Sequence, residues 1–117
     1  MINAINCTYT DATLRIATKG TVKAGTVLVE ITAANVLAPY KSDATDGTKI
    51  PCYILVNDVE NTTEESLDVE NVRVIAYGQV DGDALVFAKS GDTVDVIKTT
   101  LKNNGILVMN VQKGIGD

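Results

Sequence analysis

The feature that most constrains this chain is the way glycines divide stretches rich in valine and threonine into short pieces. Gly20, Gly25, Gly47, Gly78, Gly82, Gly91 and Gly105 each open or close such a segment. β-Branched side chains lose rotamer freedom in a helix but fit the pleated surface of a sheet, while glycine supplies the backbone conformations that tight turns require. The chain is therefore expected to be mostly β. At 117 residues it has room for one domain with one core, and it can stand without metal or disulfide staples.

Individual segments sharpen this reading. In Thr26 to Ile31, Val27, Val29 and Ile31 fall on one face, with Thr26, Leu28 and Glu30 on the other, which predicts a strand. Ile50 to Val56 is apolar on both faces and predicts a buried strand. Pro51 must sit at its start or edge, because it cannot donate to a ladder. Asn71 to Val80, then Asp81-Gly82, then Asp83 to Ala88 predicts a β-hairpin with a tight Asp-Gly turn, and Gly78 marks a bulge in its first arm. One short helix is expected from Thr93 to Asn104, capped by Asp92 and stopped by Gly105, with Val94, Ile97 and Leu101 on one face. A last strand is expected over Ile106 to Val111. Between Lys49 and Arg73 there is no cation, whereas Asp58, Glu60, Glu64, Glu65, Asp68 and Glu70 all fall there, which predicts an acidic, solvated loop from Asn57 to Asn71.

Charge and composition exclude several functions. Ten basic residues against fifteen acidic ones give a net charge of −5, and the cations are scattered singly from Arg15 to Lys113, so nucleic acid is not an expected partner. No apolar run approaches the ~20 residues needed to span a bilayer, and the first residues lack the basic and apolar regions of a secretory signal. No membrane role is expected. Cys7 and Cys52 predict two reduced thiols of a cytosolically made protein. The sequons at Asn6-Cys7-Thr8 and Asn61-Thr62-Thr63 read as chance without a secretion route.

The chain has no histidine, which removes the usual triads, histidine-ligated zinc and the commonest proton-transfer group near neutrality. The two cysteines form no CxxC pair for a thiolate zinc site. With no tryptophan there is little material for a sugar-binding cleft, and the acidic stretch lacks the glycine and glutamate spacing of an EF-hand. Gly20 to Thr26 has the glycine spacing of a P-loop but Thr26 in place of its lysine. No enzyme activity, cofactor or metal is expected. The same stretch resembles the turn and strand of biotinyl and lipoyl carrier domains, yet Asp81-Gly82 offers no lysine at the tip of the expected hairpin, which leaves a small β-barrel carrier or protein-binding module as the alternative function.

Taken in order, the segment Gly20-Thr21-Val22-Lys23-Ala24-Gly25-Thr26-Val27-Leu28, the run Asp46-Gly47-Thr48 leading to Pro51-Cys52-Tyr53-Ile54-Leu55-Val56, the acidic stretch, the Asp81-Gly82 turn and Leu101-Lys102-Asn103-Asn104-Gly105-Ile106-Leu107 resemble the phage head decoration protein family, related to protein D of lambda-like phages. One departure is Tyr53, where the family commonly has glycine. The resemblance implies a compact small β-barrel or β-tulip-like single domain that forms homotrimers. It also implies a structural virion protein, made in the bacterial host cytoplasm, that binds the major capsid protein at local threefold sites outside the expanded capsid and cements it. In that family the N-terminal arm contacts the capsid. Here the arm is residues 1–11, ahead of a decoration domain over 12–117, and the expected capsid-binding residues are Ile2, Asn3, Ala4, Ile5 and Tyr9. The other reading of the same segment is an edge strand of its own domain.

Overall fold

A computed structural model describes residues 4–31, 34–41, 51–82, 85–87 and 94–109. The strands are β1 (Ala4–Ile16), β2 (Gly20–Val22), β3 (Val27–Ile31), β4 (Val36–Pro39), β5 (Pro51–Leu55), β6 (Val59–Asn61), β7 (Leu67–Asp81) and β8 (Ile106–Met109), with one helix, α1 (Val94–Asn103), before β8. The main sheet runs β1-β4-β3-β5-β7-β8, and β1 also pairs with β7. That last pairing closes β1, β4, β3, β5 and β7 into a five-stranded barrel. The expected β-rich single domain with one short helix is the fold observed.

Two cores explain the apolar pattern. Leu14, Ile16, Leu28, Leu37, Leu55, Val72 and Val74 form one cluster. Because these residues come from all five barrel strands, the cluster fills the barrel interior. Val22 of β2 and Val59 of β6 pack against it, so the separate β2–β6 ribbon covers one side of this core. The second cluster joins Val27, Val29, Ile54, Ile75 and Val80 on the outside of the wall to Ile97 and Leu101 of α1 and to Ile106 and Val108 of β8. Ile97 and Leu101 lie four residues apart on one helix face, as the sequence predicts. Each fully buried leucine or isoleucine here contributes about 1.5–3 kcal/mol.

The strand expected over Thr26 to Ile31 forms as β3, and this double burial gives each of its faces a core. Leu28, on the face opposite Val27 and Val29, is fully buried in the barrel, while Val27 and Val29 are buried beneath the helix layer. The prediction for Ile50 to Val56 holds for the described part: Pro51 opens β5, and Ile54 and Leu55 serve the outer and inner cores respectively.

Among the described residues the hairpin expected at Asp81-Gly82 does not form; Asp83, Ala84 and Ala88 of its second arm lie outside them. Leu85 donates its N–H to Gly82 O at 3.3 Å, and the chain then crosses to the start of β3. There Val86 bridges Thr26 in parallel, donating to Gly25 O at 2.9 Å and accepting from Val27 N at 3.1 Å. The reason is that β7 has no free edge to offer: over residues 78–81 it pairs with β8 on one side, and Val80 and Gln79 pair with Ala4 and Ile5 of β1. The acidic stretch is also not a loop. It contributes β6, a turn and the first third of β7, although all six carboxylates are exposed.

β7 follows the barrel wall through three register slips against β1: between Ala12 and Leu14 beside Asn71 at φ 59°, between Thr8 and Tyr9, and between Ile5 and Thr8 opposite Gly78 at φ 135°. Such bulges increase local twist and let one long strand follow a curved wall. Asparagine tolerates the left-handed conformation better than most residues. Asp92, the expected helix cap, Asp46-Gly47-Thr48, and the end of the expected last strand beyond Met109 lie outside the described residues.

Candidate functional site

The expected arm continues directly into the barrel wall. Ala4 and Ile5 lie in β1, paired with Val80 and Gln79, and β1 runs without interruption past Asp11 to Ile16. Ile2 and Asn3 lie outside the described residues. On its other side β1 meets β4 at a single pair, Leu14 with Leu37. Among the described residues, the edge of β1 from Thr8 to Thr13 that faces away from β7 therefore carries no strand.

Beside that edge is a small surface of aromatic and charged groups. Tyr9 is 46% exposed and Tyr77, on β7, 59%. The Arg73 guanidinium lies 5.8 Å from the centre of the Tyr9 ring, and its Nε is 4.0 Å from Asp11 Oδ1. Tyr9, Asp11 and Arg73 thus come from two neighbouring strands in register, Asp11 directly opposite Arg73. Tyrosine and arginine are the residues most often found at energetic centres of protein interfaces. Sequence reasoning found Tyr9 but missed Arg73 and Tyr77, which only the β1–β7 pairing brings beside it.

The acidic stretch is partly answered from within the chain. Arg15 donates from Nε and Nη2 to the two carboxylate oxygens of Asp68 at 2.9 and 3.1 Å. Lys19 Nζ lies 3.1 Å from Glu64 Oε1, and Lys23 Nζ 3.6 Å from Asp58 Oδ2. Arg15 faces Asp68 directly in the β1–β7 ladder, while Lys19 and Lys23 border β2, whose partner β6 lies within the acidic stretch. Arg15 and Lys19 also line a cleft of about 450 Å³ with Val29, Ile31 and Lys41.

Hydrogen bonding from Arg15 holds the Asp68 carboxyl below its ordinary value, and the N–H of Ala24, helped by Lys23, does the same for Asp58. A carboxylate whose value is lower in the folded than in the unfolded chain stabilises the fold above the unfolded value and loses that contribution as pH falls through the folded one. The chain is expected to lose stability below about pH 4. Urea unfolding across that range should show a shallower loss for the Asp58→Asn/Asp68→Asn double variant than for the parent, and parallel curves would contradict the assignment.

Neither Cys7 nor Cys52 is in a disulfide. Burial, with Glu30 adding to it, pushes Cys52 up to about 11, which makes it a poor nucleophile at neutral pH. Among the described residues no group of three or more His, Cys, Asp or Glu side chains is placed to hold a metal ion. No described helix is long and apolar enough to cross a membrane.

A closed barrel bearing an open strand edge and an adjoining Tyr-Arg surface defines a protein suited to docking on another protein. The chain matches the family model described as bacteriophage lambda head decoration protein D over residues 2–107, and it belongs to that family. It is thus a phage head decoration protein and a component of the virion capsid, from a structural family and not an enzyme family. No curated protein matches the sequence.

Proposed function

We propose that the protein, made in the bacterial host cytoplasm, binds the major capsid protein on the outside of the expanded shell as a homotrimer at local threefold positions, and that it cements the shell. The match to the head decoration family across residues 2–107 carries this reading. A protein that binds only the expanded state stabilises it by RT ln(1 + [L]/Kd), about 2.7 kcal/mol per site at a hundredfold excess over Kd. Three linked contacts raise the avidity further without new chemistry.

The anchor in this proposal is the start of β1, with Ile2, Asn3, Ala4, Ile5 and Tyr9. The open edge from Thr8 to Thr13 supports it, because a capsid strand can add there while β1 stays paired with β7. Removing the whole arm would strip residues 4–11 from the wall, so smaller changes make the better test. Deleting residues 1–3 together with Tyr9→Ala is expected to weaken binding to expanded shells by about tenfold or more, with little change in thermal stability for an exposed site. If that variant binds as the parent does, the start of β1 is not the anchor.

The carboxylates of the acidic stretch face outward in this proposal. Glu64 is exposed and engaged by Lys19, and Glu65 is exposed. Neutralising both to glutamine is expected to change capsid affinity by no more than about 1 kcal/mol, with little dependence on salt. A hundredfold loss at unchanged thermal stability would place this strip against the capsid instead.

A further inference from the structure

The turn joining α1 to β8 contains Asn104-Gly105, the one Asn-Gly dipeptide in the sequence. In such a dipeptide the glycine nitrogen, unhindered by a side chain on its own residue, can attack the asparagine side-chain carbonyl. The C–N bond formed closes a five-membered succinimide, the side-chain nitrogen leaves as ammonia, and water then opens the ring to aspartate or isoaspartate. The reaction needs a free carboxamide and a free glycine nitrogen. The fold occupies both. Asn104 Nδ2 donates to Pro51 O at 3.1 Å and to Thr100 O at 3.2 Å, while Gly105 N donates to Lys102 O at 3.1 Å.

We propose that Asn104 is a covalent modification site, a deamidation site held closed by the folded turn, and that its conversion in an opened chain weakens the re-docking of α1 on the barrel. The carboxamide ties the helix end to β5 across the outer core, through Pro51 O. A carboxylate there cannot donate, so it faces two carbonyl oxygens as acceptor against acceptor. It also adds negative charge at the C-terminus of α1, where the helix dipole opposes it. Isoaspartate lengthens the backbone by one methylene immediately before Gly105, whose carbonyl accepts the N–H of Gly78 at 3.0 Å and whose Cα lies beneath the Tyr77 ring. Damage then accumulates in chains whose turn has opened, and the folded protein is spared.

The test incubates the full-length protein in mildly alkaline buffer with and without denaturing urea, and peptide mapping follows the mass gain of amide hydrolysis and the isoaspartate content at each asparagine. The unfolded chain is expected to convert first at Asn104, roughly tenfold or more faster than the folded chain does. Equal rates in the two states, or earlier conversion of another asparagine in urea, would overturn the proposal. Separately, Asn104→Asp is expected to lower the melting temperature by about 5 °C or more. An unchanged melting temperature would show that the tether is not holding α1, and if the variant does not fold, the rate comparison on the parent protein still decides.

Discussion

Replacing Asn61 by alanine is expected to destabilise the fold by about 2–4 kcal/mol, because it removes a fully buried hub and leaves several backbone groups without partners. Asn61 Nδ2 lies 3.0 Å from Ile16 O, 2.8 Å from Glu65 O and 3.3 Å from Thr18 O, and its Oδ1 accepts from Thr63 N and Thr63 Oγ1 at 2.8 and 2.7 Å. An amide has two hydrogens, so the longest of the three donor contacts is the weakest. Together they bind the end of β1, the β1–β2 connection and the β6–β7 turn to one side chain. Aspartate, which has the same shape but no N–H, should cost at least as much. Thermal or urea unfolding measures this, and a loss below about 0.5 kcal/mol for alanine would show that water replaces the hub. The same burial means that the sequon at Asn61 cannot accept a glycan in the folded protein, as its chance reading implies.

Gly78→Ala is expected to be comparably damaging, at about 3 kcal/mol or more. Gly78 has φ 135°, where a side chain is strained, and a Cβ there would lie 2.5 Å from Cys7 Sγ and 2.7 Å from Cys7 Cα. The second contact is with backbone, so a rotamer change cannot relieve it. Cys7→Ala should therefore fail to rescue Gly78→Ala in a double-mutant cycle. Full rescue would mean that the sulfur alone sets the spacing of β1 and β7 at this bulge.

The contrast between these positions shows what was legible in the sequence. Pro51 at a strand start, the Ile97–Leu101 face, the stop at Gly105 and the irregularity at Gly78 follow from local chemistry, and each appears where the residues place it. The expected hairpin differs from the fold because Asp81-Gly82 has the composition of a turn, while the partners of β7 are supplied by β1 and β8, far away along the chain. The part of β7 before Asn71 is hidden by its bulge, whereas Asn71 to Val80 reads as a strand arm. Val69 lies on an odd position and Val72 and Val74 on even ones, so the period-two signal breaks at Asn71 where the strand bends. At the candidate site Tyr9 was accessible from the sequence as an apolar residue in a polar arm, whereas Arg73 joins it only through a register that no local pattern encodes.

The central claim, that this barrel decorates and cements an expanded phage shell, is tested most directly by electron cryomicroscopy of expanded and unexpanded shells incubated with the purified protein. The account predicts trimeric density at the local threefold positions of the expanded shell, with the start of β1 against the capsid surface, and no such density on the unexpanded shell. Equal decoration of both shells, or density with twofold symmetry, would contradict it.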